Sequence, residues 1–292
     1  TGLYLAAAGV TSYSSEADEE EDFDVATLGY INAPVIDLTI KNGADVGTAD
    51  HALRVNTEGS QPVELTIKSN DSSKPVGNVY VQTVNDGTLQ LAGFTSNGEV
   101  SVAADGLSVT GALSAQKDVV LTSRSDMALE SVSSASGSVV ADSGGRLTAQ
   151  GVIAGNLGVT LSSVGDMSVE SIKTDAGSVV ATSKESLSTG TIAAQNDVEL
   201  VSEKDLSIES ITSQKGSVVA NAGETLSIAD GSTLSAANGQ LALKSQSVNW
   251  GEAIGVEVSG LYLETTDDLL LKGSTLTVGV GGLNLTSGGK LT

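Results

Sequence analysis

The sequence predicts an all-β fold, a right-handed parallel β-helix (β-solenoid) built from coils of about 20 residues. Three observations lead to this expectation: an internal repeat, an alternation of apolar and small polar residues, and a composition poor in aromatic side chains. Glycine contributes 34 of the 292 residues and aromatic residues only 3%. Val, Leu, Ile and Ala therefore supply nearly all the apolar surface, and such side chains suit thin layers stacked many times.

The internal repeat is visible in two short motifs that return together. The segment GSVVA begins at Gly137, Gly177 and Gly216, with spacings of 40 and 39 residues. The motif that precedes each copy is DMALESV, DMSVESI or DLSIESI, and it starts at Asp126, Asp166 and Asp205. Chance does not return two motifs three times in one register, so a repeat architecture is expected.

Weaker copies lie halfway between these and reduce the unit to about 20 residues. The inward apolar residue near the start of each unit forms a ladder with steps of 19 to 23 residues. Its members are Val79, Val100, Val119, Val139, Val159, Val179, Val198, Val218, Leu241, Leu261 and Leu283. The 40-residue similarity is therefore a pair of units.

Within each unit the apolar residues recur with period two, which is typical of a strand with one buried face. Polar and glycine pairs such as Gly144-Gly145, Asn196-Asp197 and Asn238-Gly239 are expected at the corners. One unit buries too little apolar surface to offset the entropy of ordering its chain. Cohesion must come from parallel, in-register stacking, with the right-handed path that crossovers favour. Stacked at ~4.8 Å each, the coils would form a rod of roughly 50 Å.

Two other repeat architectures fit less well. A propeller needs units of about 40 residues with a Trp-Asp signature, and the only tryptophan is Trp250. An array of sandwich domains would repeat at about 100 residues.

We expect two regions along the chain. Residues 1–60 form an irregular N-terminal portion of the solenoid with an acidic loop at about 11–33, and residues 61–292 form the regular repeats. The loop holds a dense acidic run that includes Asp18, Glu19, Glu20, Glu21, Asp22 and Asp24. Such a run is usually a solvated loop. The alternative is a Ca²⁺ site, since hard oxygen ligands suit that ion, although the spacing fits no EF-hand. No other cofactor is expected.

The charge of the chain restricts its partners. A net charge of −22 repels nucleic acid phosphates, and no basic patch offsets it. The longest apolar run, residues 3–10, is too short to span a bilayer, so membrane insertion is not expected. Both ends of the sequence break off within the strand pattern, which indicates a piece or processed product of a larger protein.

The sequence offers little for catalysis. His51 is the only histidine and there is no cysteine, which excludes multi-histidine metal sites and the usual Cys or Ser–His nucleophiles. Paired carboxylates remain, because some glycosidases use them. Glu130, Glu170 and Glu209 recur at equivalent places, as do the three motif aspartates. A single active site would not need three copies of the same carboxylate, so we expect no catalytic residue. The acids are either solvated or share cations.

Two sets of side chains are expected to point outward. The first is an apolar stripe of Val120, Val140, Val180 and Val219, with Thr160 and Glu199 between them. It reflects either strand propensity on an open sheet or a lateral contact with another chain or a covering segment. The second set is Tyr4, Tyr80 and Tyr262, which occupy similar places in their coils but lie too far apart to form one sugar-binding platform.

The 20-residue units, with a Gly-x-Leu/Val-x-Leu/Ile texture, resemble the repeat regions of filamentous-haemagglutinin-like and other giant bacterial β-solenoid surface proteins. A second resemblance is GADVGTADHALRV at residues 43–55, which is similar to a segment near a break in the repeats of very large members. Val46 stands where those have Ile, and Ala52 where they have Pro. The resemblance covers roughly residues 36–292. It implies export to the extracellular side or bacterial cell surface, a role in adhesion or surface structure, and no catalytic residue.

These observations lead to a non-enzymatic rigid stalk or adhesin segment of a larger bacterial protein as the expected function. The alternatives are a self-assembling subunit of an extracellular filament or surface layer, and lastly a β-helix enzyme that acts on polysaccharide. The expected partners are other copies, neighbouring segments of a larger chain, or host or cell-surface glycans and proteins.

Overall fold

The computed structural model describes residues 4–6, 29–41, 43–271 and 273–292. In these ranges the chain forms strands and turns and contains no helix. Most of the acidic loop predicted at residues 11–33 lies outside the described residues. So do all the predicted calcium ligands, which are Asp18, Glu19, Glu20, Glu21, Asp22 and Asp24.

The strands follow one another along the coils. The first are β1 (Tyr4–Ala6), β2 (Val35–Ile40), β3 (Leu53–Asn56), β4 (Val63–Ser69), β5 (Val79–Val84), β6 (Thr88–Ala92), β7 (Thr95–Ser96) and β8 (Val100–Ala104). The central ones are β9 (Gly106–Ala115), β10 (Val119–Ser123), β11 (Met127–Ser134), β12 (Ser138–Ser143), β13 (Leu147–Gly155), β14 (Gly158–Ser163), β15 (Met167–Thr174), β16 (Ser178–Ser183) and β17 (Leu187–Ala194). The last are β18 (Val198–Ser202), β19 (Leu206–Ser213), β20 (Val218–Ala222), β21 (Thr225–Ile228), β22 (Thr233–Ser245), β23 (Ser247–Trp250), β24 (Gly255–Thr265) and β25 (Thr275–Ser287).

The coils stack in parallel and in register. Through the regular part each strand pairs with the strand two places along the chain, so that β10 lies between β8 and β12, and β11 between β9 and β13. The predicted ladder pairs residue by residue from Val79 to Leu283. The prediction of an all-β solenoid with ~20-residue coils is confirmed. Its right-handedness stays a prediction.

Each regular coil has three outward faces. Face A consists of β5, β8, β10, β12, β14, β16, β18 and β20, followed by residues 240–245, 260–265 and 282–287. Faces B and C are the first and second parts of the longer strands such as β11. The pairing of β11 with β13 shifts register between Leu129 and Val132, and such a bulge bends a strand. One continuous strand therefore supplies two faces.

The core lies inside this coil and is almost wholly aliphatic. In the coil that begins with β10, the inward residues Val119, Leu121, Met127, Leu129 and Val132 are buried. The last inward residue of face A is polar in most coils, as in Ser123, Ser143, Ser163, Ser183 and Ser202. These hydroxyls donate to carbonyls at the corner, for example Ser143 Oγ to Ser125 O at 2.8 Å. The corner carbonyls therefore keep a hydrogen-bond partner although they are partly buried.

The 40-residue superperiod has a physical origin in the turn between faces C and A. Buried hydroxyls alternate there with smaller residues from coil to coil, in the order Ser96, Ala115, Ser134, Gly155, Thr174, Ala194 and Ser213. Ser134 and Ser213 donate to carbonyls of the preceding coil, Lys117 O at 2.6 Å and Asn196 O at 2.7 Å, and Thr174 donates within its own turn to Gly177 O at 2.7 Å. Every second coil therefore has a buried hydroxyl that satisfies a carbonyl at this turn.

The glycine of the GSVVA motif lies in this turn. Gly177 lies directly on the Leu157 carbonyl of the preceding coil, and a Cβ at Gly177 would overlap it. A Cβ at Gly216 would likewise overlap the backbone of Asn196 and Asp197. The motif therefore begins with glycine because the coils approach each other too closely at this corner to leave room for a Cβ.

The two ends of the stack differ. At the N-terminal end β1 pairs antiparallel with β2, with Leu5 opposite Leu38. β2 and β3 already belong to the stack, because they pair in parallel with β4 and β5. At the other end the inward Leu283 of β25 is 53% exposed, whereas its ladder partner Leu261 is 2% exposed.

Candidate interaction surfaces

Face A carries one outward column that runs along the whole regular part. It consists of Tyr80, Ser101, Val120, Val140, Thr160, Val180, Glu199, Val219, Ala242, Tyr262 and Asn284, each paired in register with the next. The structure thus brings the four predicted stripe valines and two of the three predicted tyrosines into one line. Tyr4 lies in β1, and the structure does not describe its side chain.

The stripe valines are accessible from solvent to different degrees. Val120 is 38% exposed, and Val140, Val180 and Val219 are half-buried. Stacked β-branched neighbours in a parallel column shield one another. Methyl groups therefore follow one another from Val120 to Val180, and Glu199 separates them from Val219.

Exposed aliphatic residues also stand at the two corners beside β14, near the middle of this column. Leu157, just before β14, is 58% exposed, and Val164, just after it, is 48% exposed. The outward residues of β14 between them are Gly158, Thr160 and Ser162.

The sequence reasoning missed Leu157 and Val164, because corner residues lie outside the strand alternation. Alignment of the repeats provides the missing signal. The corner position of Val164 holds Arg124 two coils earlier and Lys184 in the next coil, as the backbone bonds Val164 N to Ser143 O and Lys184 N to Ser163 O show. The corner position of Leu157 holds Lys117 two coils earlier and Asn196 two coils later. Among the regular coils that the structure describes, only that of β14 has aliphatic residues at both of these corners.

Face B is a shallow trough with a floor of small side chains. The floor consists of Ser108, Ala128, Thr148, Ser168, Ser188, Ser207 and Ser227. Open cavities of about 290 Å³ and about 140 Å³ lie over Ala128 and Thr148, and one of about 480 Å³ lies beside Trp250. Trp250 itself points inward and donates from Nε1 to Ser274 Oγ at 2.6 Å. It therefore offers no free ring face to a sugar.

One interpretation of the sequence treated the repeated aspartates as solvated side chains. In the structure each of them bonds to the next coil. Asp126 Oδ1 accepts the backbone N–H of Arg146 at 2.8 Å, and Asp166 Oδ1 accepts that of Ser186 at 3.2 Å. Asp205 Oδ1 does the same for Thr225 at 3.2 Å. A carboxylate that accepts an amide N–H at a corner acts as a cap. In every second coil, therefore, one of these aspartates bonds to the coil that follows.

The repeated glutamates are exposed, and one of them makes a similar bond, from Gly111 N to Glu130 Oε2 at 2.7 Å. Among the residues that the structure describes, no three His, Cys, Asp or Glu side chains come together as a metal site. The sharing of cations along these rows stays a prediction.

The cap interpretation predicts how the corner aspartates respond to substitution. Asp166→Ala should lower the melting temperature by about 2 °C, because it leaves the Ser186 N–H without its acceptor. Asp166→Asn should retain most of the stability, since the amide oxygen accepts the same bond. Melting followed by circular dichroism measures both, with Glu170→Ala as the control. An equal loss in the alanine and asparagine variants would contradict the cap.

The hydroxyls of the two outward tyrosines are held by carboxylates of the same chain. Tyr262 Oη donates to Glu264 Oε2 at 2.5 Å, and Lys244 Nζ lies 3.2 Å from Glu264 Oε1. The hydrogen bond from Tyr262, followed by that from Lys244, lowers the pKa of Glu264. The same bond to Glu264 raises the pKa of Tyr262. Tyr80 Oη donates to Glu99 in the same manner. The rings are thereby fixed against the sheet.

His51 lies in an exposed turn, where its backbone N–H donates to Thr48 Oγ1 at 3.0 Å. No helix long and apolar enough to cross a bilayer occurs in the part of the chain that the structure describes. Comparisons with protein-family models, with curated proteins and with solved structures found no match for this chain.

Proposed function

We propose that this chain is a non-enzymatic, rigid scaffold: a stalk or adhesin segment of a larger bacterial protein at the cell surface. The observation that carries the proposal is the unbroken parallel register from Val79 to Leu283. A lateral bend of such a stack must break several backbone bonds between two coils at once, whereas a chain of separate domains bends at its linkers. A rod of this kind holds whatever lies at its two ends at a fixed distance.

Export to the surface is supported by the resemblance to filamentous-haemagglutinin-like repeats and by the strongly acidic composition. The non-enzymatic assignment is supported by the aspartates at positions 126, 166 and 205, which serve one repeated structural role. The recurrent glutamates stand on an open face and have no convergent partners for general acid–base work.

A self-assembling subunit of a filament or surface layer is the second candidate. It is favoured by the outward valines of face A, of which Val120 is 38% exposed, because aliphatic side chains on an open sheet face can contact another copy from the side.

Labelling of intact producing cells tests the surface proposal. An antibody against the purified chain should bind intact cells, and brief external protease treatment should abolish the signal while a cytoplasmic marker survives. Labelling only after lysis would refute the surface location. Negative-stain images should contain straight thin rods for a stalk, and fibres that lengthen with concentration for the second candidate. Release of reducing ends from a glycan panel, lost in Glu170→Gln, would instead favour the enzyme.

A further inference from the structure

Face B, which β21 and β23 continue, loses its ladder between β23 and the coil that follows. β23 pairs in parallel with β21, and among the residues that the structure describes no strand pairs with its other side. We call residues 267–271, which lie across this gap, the strap. We propose that the strap bows outward and opens the core of the rod from the side. This inference goes beyond the scaffold function and rests on neither export nor a stalk role.

The first observation is that the backbone bonds between coils stop at β23. Ser247 N donates to Glu224 O of the preceding coil at 2.9 Å. Backbone groups of a central strand alternate between its two neighbours, so the N–H groups of Val248 and Trp250 point toward the strap. Neither of them bonds to the strap in the part of the chain that the structure describes. Buried backbone groups without a partner are rare, so this contact is weaker than that between ordinary neighbouring coils.

The strap bonds instead to the residues that follow it in the stack. Leu269 N donates to Lys290 O at 2.8 Å, and Leu271 N donates to Thr292 O at 3.1 Å. Leu269 is the residue that also forms a parallel bridge, with Leu291. The strap therefore belongs to the later coil, and it would leave β23 together with residues 290–292.

The bulk of Trp250 explains the gap. Trp250 pairs in register with Ile228 and points into the core, where it is 8% exposed. An indole ring needs more room than the aliphatic side chain of Ile228, and a close-packed interior yields only by moving the backbone. The next coil therefore does not close onto β23 at the usual ~4.8 Å. An open cavity of about 480 Å³ remains, and Val248, Asn249 and Leu270 are among the residues that line it.

The strap has an anchor at its start and a latch and hinge at its end. Thr266 N, just before the strap, donates to Gln246 O at 3.1 Å. Beyond the strap, Ser274 Oγ accepts the bond from Trp250 Nε1 at 2.6 Å. Gly273 has a φ of 55°, a left-handed conformation that glycine enters and leaves easily. Gly273 is thus the hinge, and the bond between Trp250 and Ser274 is the latch.

Opening of the strap leaves the rest of the rod in place. On the other two faces β24 stays paired with β22 and with β25. Solvent would therefore reach the core from one side while the rod remains straight. Local opening of this kind occurs where buried contacts and backbone bonds are few.

Hydrogen exchange, resolved to single amides of the wild-type chain, tests the gap. The amides of Val248 and Trp250 should exchange at least ~100-fold faster than those of Leu226 and Ile228. The latter two lie in β21, which has a strand on each side. Equal protection of the amides in β21 and β23 would overturn the proposal. This measurement needs no variant, so it decides the question even where a substitution lowers the melting temperature.

Fluorescence tests the latch, because Trp250 is the only tryptophan. In Ser274→Ala the Trp250 Nε1 loses its acceptor, and quenching of the emission by acrylamide should become at least ~3-fold more efficient than in wild type. The control is Ser259→Ala, which removes a similar bond away from the strap, from Ser259 Oγ to Gly239 O at 2.6 Å. Circular dichroism should give equal melting temperatures for both variants. Quenching that stays unchanged in Ser274→Ala, or that rises equally in Ser259→Ala, would refute the latch.

Discussion

Replacement of Gly177 by alanine is expected to destabilise the protein by at least about 3 kcal/mol, far more than a methyl group usually costs. The added Cβ would overlap the carbonyl carbon and oxygen of Leu157 in the preceding coil. Backbone atoms cannot rotate away as a side chain can. The two coils must separate locally, and the separation strains the ladder bonds on both sides of the corner.

The matched control is Gly255→Ala. No atom lies within 4 Å of a Cβ at Gly255, and its φ is not positive. This substitution should be neutral or slightly stabilising, because alanine restricts the unfolded chain more than glycine does. Urea unfolding, followed by circular dichroism and fitted with a common slope, compares the two variants. Similar stabilities for Gly177→Ala and Gly255→Ala would contradict the close approach of the coils at this corner.

Placement of a carboxylate in the ladder should be equally damaging. Leu200 is fully buried in β18, and Leu200→Asp is expected to cost at least about 4 kcal/mol at pH 7. Val201 is the next residue and points outward from face A. Val201→Asp should change the free energy of unfolding by less than about 1 kcal/mol. The contrast between neighbours tests the alternation directly, and equal effects would contradict it.

The pH dependence of Leu200→Asp has a definite sign. Burial disfavours the ionised form, so the folded-state pKa of the new carboxyl lies above its unfolded value of about 3.9. Between these two pKa values the native state binds more protons than the unfolded state, and stability falls as pH rises. The variant should therefore recover part of its loss as the pH is lowered from 7 towards 4. Thermal melts at several pH values, each relative to wild type, measure this recovery.

The stacking of the coils was predictable from the spacing of the ladder residues. Val119, Val139 and Val159 recur at nearly constant spacing with strand alternation on either side, and only a parallel register satisfies both. The expected corner at Asn238-Gly239 lies where β22 shifts register between Ala236 and Gln240, so β22 passes through this corner as one continuous strand. Asn238 Nδ2 donates to Gln214 O at 2.7 Å, which satisfies that carbonyl without a tight turn.

The surfaces were predictable only in part, because a local sequence pattern shows which side chains face outward but not which residues of the next coil they contact. The outward place of Val120 and Tyr262 follows from alternation within one strand. The caps made by Asp126 and Asp166 join residues 20 positions apart, and no local pattern indicates a bond to the next coil. Leu157 stands in a turn, where its exposure depends on the glycines of the coils above and below.

The alternation of two kinds of coil has a consequence for how a protein of this type changes its length. Loss of a single coil would place two bulky corners of the kind found at Lys117 and Leu157 against each other, with no glycine between them. Loss or gain of two coils keeps the alternation of bulky and glycine corners. The heritable increment of this rod is therefore about 40 residues, or roughly 120 nucleotides of coding sequence, and variants should differ in length by whole multiples of it.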